Sequence, residues 1–183
     1  MRLGLDRLPS LPLVERLREK RVGLLAHPAS VDRRLRHISA VLEELSIRPV
    51  VIFGPEHGYG GEAQDMVGVP DARDEATGAP IVSLYGDNFD DLIPPDRWLR
   101  EIDVLLVDLA DVGSRYYTFV WTALLAARAT ARVGVHTVIL DRPNPIGGDA
   151  GQTEGALQQA GFFSFVGLEP VPIRHALTLG EIV

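Results

Sequence analysis

Apolar residues along this chain fall into two alternating rhythms, short continuous runs and longer stretches carrying a single stripe, and the alternation predicts the fold. Val50-Val51-Ile52-Phe53 is a β-branched run with no polar face, the pattern of a strand covered on both sides. Residues 21–26, 81–84, 103–109 and 135–140 read as further strands. Between them, Leu11, Leu13, Val14 and Leu17 predict a helix over residues 11–20. Leu35, Ile38, Val41, Leu42 and Leu45 predict a second over 32–45, and an Ala- and Leu-rich stretch a third over 116–132. This alternation predicts an α/β, doubly wound and mostly parallel sheet, because right-handed crossovers place helices on both faces.

Two stretches break the rhythm. Residues 62–80 are polar, contain Pro and Gly and lack periodicity, so a long surface excursion over the site is expected there. After Gly147-Gly148 periodicity is lost until Pro170-Val171-Pro172-Ile173. The chain then reaches Thr178 and, three residues on, Glu181, the signature of a capping box on the first turn of a helix. The expectation is one domain over residues 1–183, with a second domain following it.

Composition narrows the function. At 46% hydrophobic and 23% charged residues the chain is an ordinary globular protein, and 183 residues suffice to bury roughly 70% of the unfolded surface. A net charge of -7 argues against a nucleic-acid partner, which calls for a basic face, and against an anionic membrane surface. No run approaches the ~18 apolar residues of a membrane span. Residues 1–10 are interrupted by Arg2, Asp6 and Arg7 and do not read as a signal peptide, which leaves the compartment open. The absence of cysteine excludes disulfides, a thiol nucleophile and cysteine metal sites.

The most informative segment is Phe53-Gly54-Pro55-Glu56-His57-Gly58-Tyr59-Gly60-Gly61, which puts a carboxylate and an imidazole in a glycine-rich loop directly after a buried strand. In open α/β sheets the ligand crevice lies outside the carboxyl ends of the strands. Four polar clusters fall at such ends: His27; Glu56 and His57; Asp108, Asp111 and Arg115; and Asp141, Arg142 and Asn144. One crevice could hold them all, although Asp and Asn are also common turn residues. A glycosidase would use Glu56 as general acid or base, with Asp111, Tyr117 or Glu154 as companion. A metal-dependent hydrolase would pair His57 or His27 with Asp108, Asp111 or Asp141, but no HxH or HExxH spacing supports it. Neither GxGxxG nor a Walker A pattern is present, so no cofactor is called for. Arg115 suits a carboxylate or phosphate ligand, or an internal pair with Asp111 or Asp141. His37 and His136 read as structural or exposed, whereas His175, after another strand end, stays among the candidates.

Taken in order, the Pro-Glu-His-Gly segment, Ser83-Leu84-Tyr85-Gly86, Asp108-Leu109-Ala110-Asp111-Val112-Gly113-Ser114-Arg115-Tyr116-Tyr117-Thr118, Leu140-Asp141-Arg142-Pro143-Asn144-Pro145 and Pro172-Ile173-Arg174-His175 resemble the NamZ-type exo-β-N-acetylmuramidases, a bacterial family also known as DUF1343. The resemblance runs from His27 onward. It implies a Rossmann-like domain followed by a smaller C-terminal domain, with the active site between them, and a hydrolase of cell-wall recycling. That hydrolase removes non-reducing terminal N-acetylmuramic acid from peptidoglycan fragments. Glu56 matches the family's proposed catalytic glutamate, with His57 expected to orient it. Asp111, Arg115, Tyr117, Asp141, Arg142, Asn144, Glu154 and His175 are the expected substrate-binding residues, Asp111 holding Arg115. Arg115 and Arg142 are the candidates to grip the lactyl carboxylate of muramic acid, the alternative for either being an ion pair with Asp111 or Asp141. The alternatives to hydrolysis are a non-catalytic cell-wall-sugar binding module and a metal-dependent hydrolase. The sequence departs from the family pattern at Tyr59-Gly60-Gly61, where the family often has Phe-Arg-Gly, at Thr153-Glu154-Gly155-Ala156 and at Ala176, where it usually has glycine.

Overall fold

The structure, a computed structural model, describes residues 2–61 and 72–183. Its sheet is built from β1 (Val22–Ala26), β2 (Pro49–Gly54), β3 (Ala72–Arg73), β4 (Pro80–Ser83), β5 (Val104–Asp108) and β6 (His136–Ile139), in the order β3-β4-β2-β1-β5-β6. Five strands run parallel, and only the two-residue edge strand β3 is antiparallel, against β4. The parallel strands, taken in chain order, follow the 3-2-1-4-5 winding of a Rossmann sheet, as expected. In that winding the connections leave β1 in opposite directions, so the crevice opens between β1 and β5.

Because successive strand residues face opposite sides, the strands feed two separate cores. Leu25, Val51, Phe53, Leu105 and Val107 pack on one face with α4 (Asp96–Leu99) and α5 (Phe119–Val133). Leu24, Ile52 and Leu106 pack on the other with α2 (Leu13–Arg18) and α3 (Ile38–Glu44). The short N-terminal helix α1 (Gly4–Arg7) adds Leu5, and the 3₁₀ turn after it Leu8, both fully buried in this second core. A final helix, α6 (Leu179–Ile182), opens with the expected capping box between Thr178 and Glu181.

Two helix boundaries differ from expectation for local reasons. The helix expected from residue 32 begins at Ile38, with His37 as its N-cap. The Asp32 carboxylate accepts from the backbone N–H groups of Arg34 and Arg36 and from the Arg36 guanidinium, closing a turn that competes with helix. Leu35, placed on the apolar stripe by its spacing, is instead 81% exposed at φ 61°. The third helix begins at Phe119 rather than Tyr116, after a turn in which Tyr117 N–H donates to the Ser114 carbonyl. Of the expected excursion over 62–80, residues 62–71 lie outside the described residues, and the remainder contains β3 and the start of β4.

Candidate active site

At the crevice, the carboxyl ends of β1 and β5 lie in register, Ala26 opposite Asp108. His27, the residue after β1, is buried in a T-shaped contact with Phe119, ring centroids 4.7 Å apart, and its Nε2 accepts the Ala110 N–H at 3.1 Å. That bond leaves the ring proton on Nδ1. Burial, aided by the nearby Arg142 charge and by His37, pushes the imidazole down to about 4, so it stays neutral through the ordinary pH range. Asp108 is fully buried. Arg142 grips it with two parallel bonds, Nε to Oδ1 at 2.6 Å and Nη2 to Oδ2 at 2.9 Å, while Nη2 also reaches the Val31 carbonyl. Burial pushes this carboxyl up, and the guanidinium opposes it.

Glu56 stands beside this pair of strands, in a loop folded back on its own strand. A Cβ on Gly54 would lie 2.4 Å from the Tyr59 nitrogen, so only glycine permits the close approach. Gly58 N–H closes the turn onto the Pro55 carbonyl, with His57 at φ 69° and exposed. The Glu56 carboxylate is half-buried, and its Oε2 accepts the Thr118 hydroxyl at 2.7 Å. Thr118 holds the N-cap position of α5 but makes no side-chain cap, because its hydroxyl is turned to Glu56. A carboxylate thereby sits at the positive end of a 15-residue helix. Glu56, Leu84, Tyr85, Thr118, Trp121 and Phe165 surround a cavity of only ≈ 10 Å³, room for about one water and none for a sugar ring.

A second polar pair comes from the loops after β5 and before α6. His175 is buried, and its Nδ1 accepts the Leu177 N–H at 3.2 Å, which directs Nε2 toward Asp111 Oδ2 at 3.3 Å. Asp111 Oδ2 also accepts the Gly113 N–H, while Oδ1 is buried without a hydrogen-bond partner. Tyr117 lies close enough to feel both carboxylates. Burial raises its phenol above the ordinary value, and the charges of Asp111 and Glu56 both add to the rise. Its ring lies 4.7 Å from Phe119.

The sequence profile described as "Exo-beta-N-acetylmuramidase NamZ, N-terminal" matches residues 22–183. The chain belongs to this NamZ family. It is 39% identical over 169 residues to the peptidoglycan β-N-acetylmuramidase NamZ of Bacillus subtilis (strain 168), a match covering 92% of this chain and 40% of that protein. Two crystal structures of DUF1343 family proteins from Bacteroides fragilis NCTC 9343 superpose on it. One has TM-score 0.86 at 36% identity, covering 98% of this chain and 44% of that one. The other has TM-score 0.78 at 30% identity, covering 97% and 44%. The chain thus spans less than half the length of these relatives.

Within this NamZ-family fold, several expected partnerships are replaced by others. Asp111 does not hold Arg115; it faces His175. Arg115 is buried, donates from Nη1 to the carbonyls of Ala156 and Val171, and lies 5.6 Å from the Tyr116 ring. Arg142 pairs with neither Asp111 nor Asp141 but with Asp108. Asp141 instead accepts the Gly180 N–H, tying α6 to the end of β6. Asn144 bridges the Ile146 N–H and the Leu177 carbonyl, a scaffold role. Glu154 is exposed and paired with Arg174. Thr118, the last residue of the Asp108–Thr118 motif, carries no signal in the sequence that separates it from an ordinary helix cap. Ala176 explains the family's usual glycine, since its φ is 54°.

Proposed function

We propose that this chain is the catalytic N-terminal domain of an exo-acting glycoside hydrolase that removes non-reducing terminal N-acetylmuramic acid from peptidoglycan fragments. The observation that carries the reading is Glu56, a half-buried carboxylate at the carboxyl end of a central strand, aligned by the Thr118 hydroxyl. Glu56 acts as the general acid, giving its proton to the leaving-group oxygen as the glycosidic bond breaks and positive charge develops on the sugar ring. Asp111, which faces His175 at 3.3 Å and with Glu56 raises the Tyr117 phenol, is the candidate second carboxylate. His57, next to Glu56 on the loop, helps to orient it. The cavity at Glu56 is too small for a sugar, so the substrate lies against the open side of the carboxylate. A C-terminal domain covers it there, in keeping with relatives more than twice as long.

The test is turnover of a chromogenic N-acetylmuramide by the full-length protein. General acid–base catalysis contributes typically about 10²–10⁴-fold, so Glu56→Gln is expected to lower turnover by that much with the fold unchanged. Near-normal activity in a folded Glu56→Gln protein removes Glu56 from the mechanism. No turnover by the wild-type protein, with the sugar still bound, favours the binding-module reading.

A further inference from the structure

Beside the Glu56 cavity lies a second, larger concavity of ≈ 340 Å³, within the range of small-ligand pockets. Its walls are aromatic. Tyr85 comes from the loop after β4, Phe89 from the 3₁₀ turn Phe89–Leu92, and Phe165 from the long segment before α6. Phe89 is 49% exposed and Phe165 44%. A single exposed phenylalanine needs no explanation, but three rings from three separate segments around one hollow do. Tyr85, Leu92 and Phe165 line both this groove and the cavity that holds Glu56, so the two are continuous.

Sugar rings present C–H faces that stack on aromatic rings, which makes such a groove a natural continuation of a saccharide site. Its charge indicates which sugar it takes. Among the described residues lining it, Asp87 is the only charged one, and Asp90 and Asp91 follow on the adjoining turn. The lactyl carboxylate of muramic acid is repelled there, whereas a neutral N-acetylhexosamine is not. The leaving-group sugar must also lie next to the acid that protonates its oxygen.

Resting on the function proposed above, we infer that the Tyr85–Phe89–Phe165 groove is the subsite for the neutral leaving-group sugar, an N-acetylglucosamine unit. The cleaved muramic acid then lies on the opposite side of Glu56, toward Tyr117 and Asp111.

The experiment uses the full-length protein carrying Glu56→Gln, which keeps the ligands intact. It is titrated by NMR with N-acetylglucosamine, N-acetylmuramic acid and the β-linked N-acetylmuramyl–N-acetylglucosamine disaccharide. Phe165→Ala and Phe89→Ala are each expected to weaken N-acetylglucosamine and the disaccharide at least about fivefold, and N-acetylmuramic acid less than twofold. Phe162→Ala, at a 71% exposed ring outside the groove lining, is expected to change none of them. Equal loss for both monosaccharides would place the cleaved sugar in the groove and overturn the inference. Unchanged affinity for all three ligands in folded variants overturns it too, and marks the groove as a surface covered by something other than substrate. If the protein with native Glu56 hydrolyses muramides, either result overturns this inference alone. If it neither hydrolyses nor binds them, the proposed function fails with it.

Discussion

Replacing Arg142 with Met separates a structural guanidinium from one that binds substrate. Arg142 reaches a fully buried carboxylate through bonds of 2.6 and 2.9 Å, and a third bond of 2.9 Å ties it to the Val31 carbonyl. Only 11% of its own side chain is exposed. Methionine keeps much of the volume but leaves the buried Asp108 carboxyl without its partner at the end of β5, a loss of about 3–5 kcal/mol for a broken buried pair. In a domain of this size that lowers the melting temperature by roughly 6–20 °C. Asp108→Asn combined with Arg142→Met removes both charges and is expected to recover most of that loss, because the penalty lies in the orphaned charge rather than in the missing bond. Urea unfolding of the 183-residue chain measures all three proteins. A single variant as stable as wild type, or a double variant no better than the single, would refute the structural assignment. If the single variant keeps its stability while the full-length protein loses discrimination between muramic acid and N-acetylglucosamine, Arg142 is the lactyl-binding cation after all.

Three further outcomes follow from the geometry. His27 is held neutral, so its contribution is fully present above pH 6.5, where the unfolded imidazole is also neutral, and is lost as pH falls toward about 4. That gap corresponds to about 3 kcal/mol, and the stability difference between wild type and His27→Gln, followed by urea midpoint, is expected to shrink by that order over this window. A difference that stays constant with pH rules out the buried neutral imidazole. Thr118→Val removes one hydrogen bond to a carboxylate, worth about 1.5–3 kcal/mol, and is expected to lower kcat of the full-length protein by roughly 10–100-fold with the protein still folded at the assay temperature. An unchanged kcat shows that Thr118 does not align Glu56. Gly54→Ala drives a methyl group into the Tyr59 backbone and is expected to destabilise the chain by about 1–3 kcal/mol, with a loss of turnover larger than unfolding explains. Wild-type activity and melting temperature in this variant would mean that the Glu56 loop yields freely.

What the sequence revealed and what it hid divide along a physical line. β1, β2 and β5 were legible because strands buried on both faces have no polar positions to blur the pattern. Glu56 was legible because its glycines and proline mark a loop at a strand end. The helix over 32–45 was overextended because spacing alone cannot register a side chain such as Asp32 capturing backbone donors. The site's pairings were hidden for a related reason. Sequence proximity offers Asp111 and Asp141 as partners for Arg115 and Arg142, while the sheet brings Arg142 to Asp108 and Asp111 to His175. Sequence proximity is a poor guide where parallel strands, joined by long crossovers, converge at one edge. Thr118 escaped notice because a threonine before a helix reads as an ordinary cap.

The strand order also dictates when this site can come into existence. β1 needs β2 on one side and β5 on the other, and β5 starts at Val104. A ribosome adding about 5–20 residues per second leaves β1 with an open apolar edge for on the order of ten seconds before β5 emerges. Glu56 is made in that interval, but Thr118, Asp111 and His175 all come later. The nascent first half therefore lacks the groups that surround Glu56 and is prone to pair with its neighbours on a polysome. Fragments ending between β4 and β5 are expected to be insoluble, so the chain depends on uninterrupted synthesis, or on a chaperone covering Val22–Ala26, more than its final stability suggests.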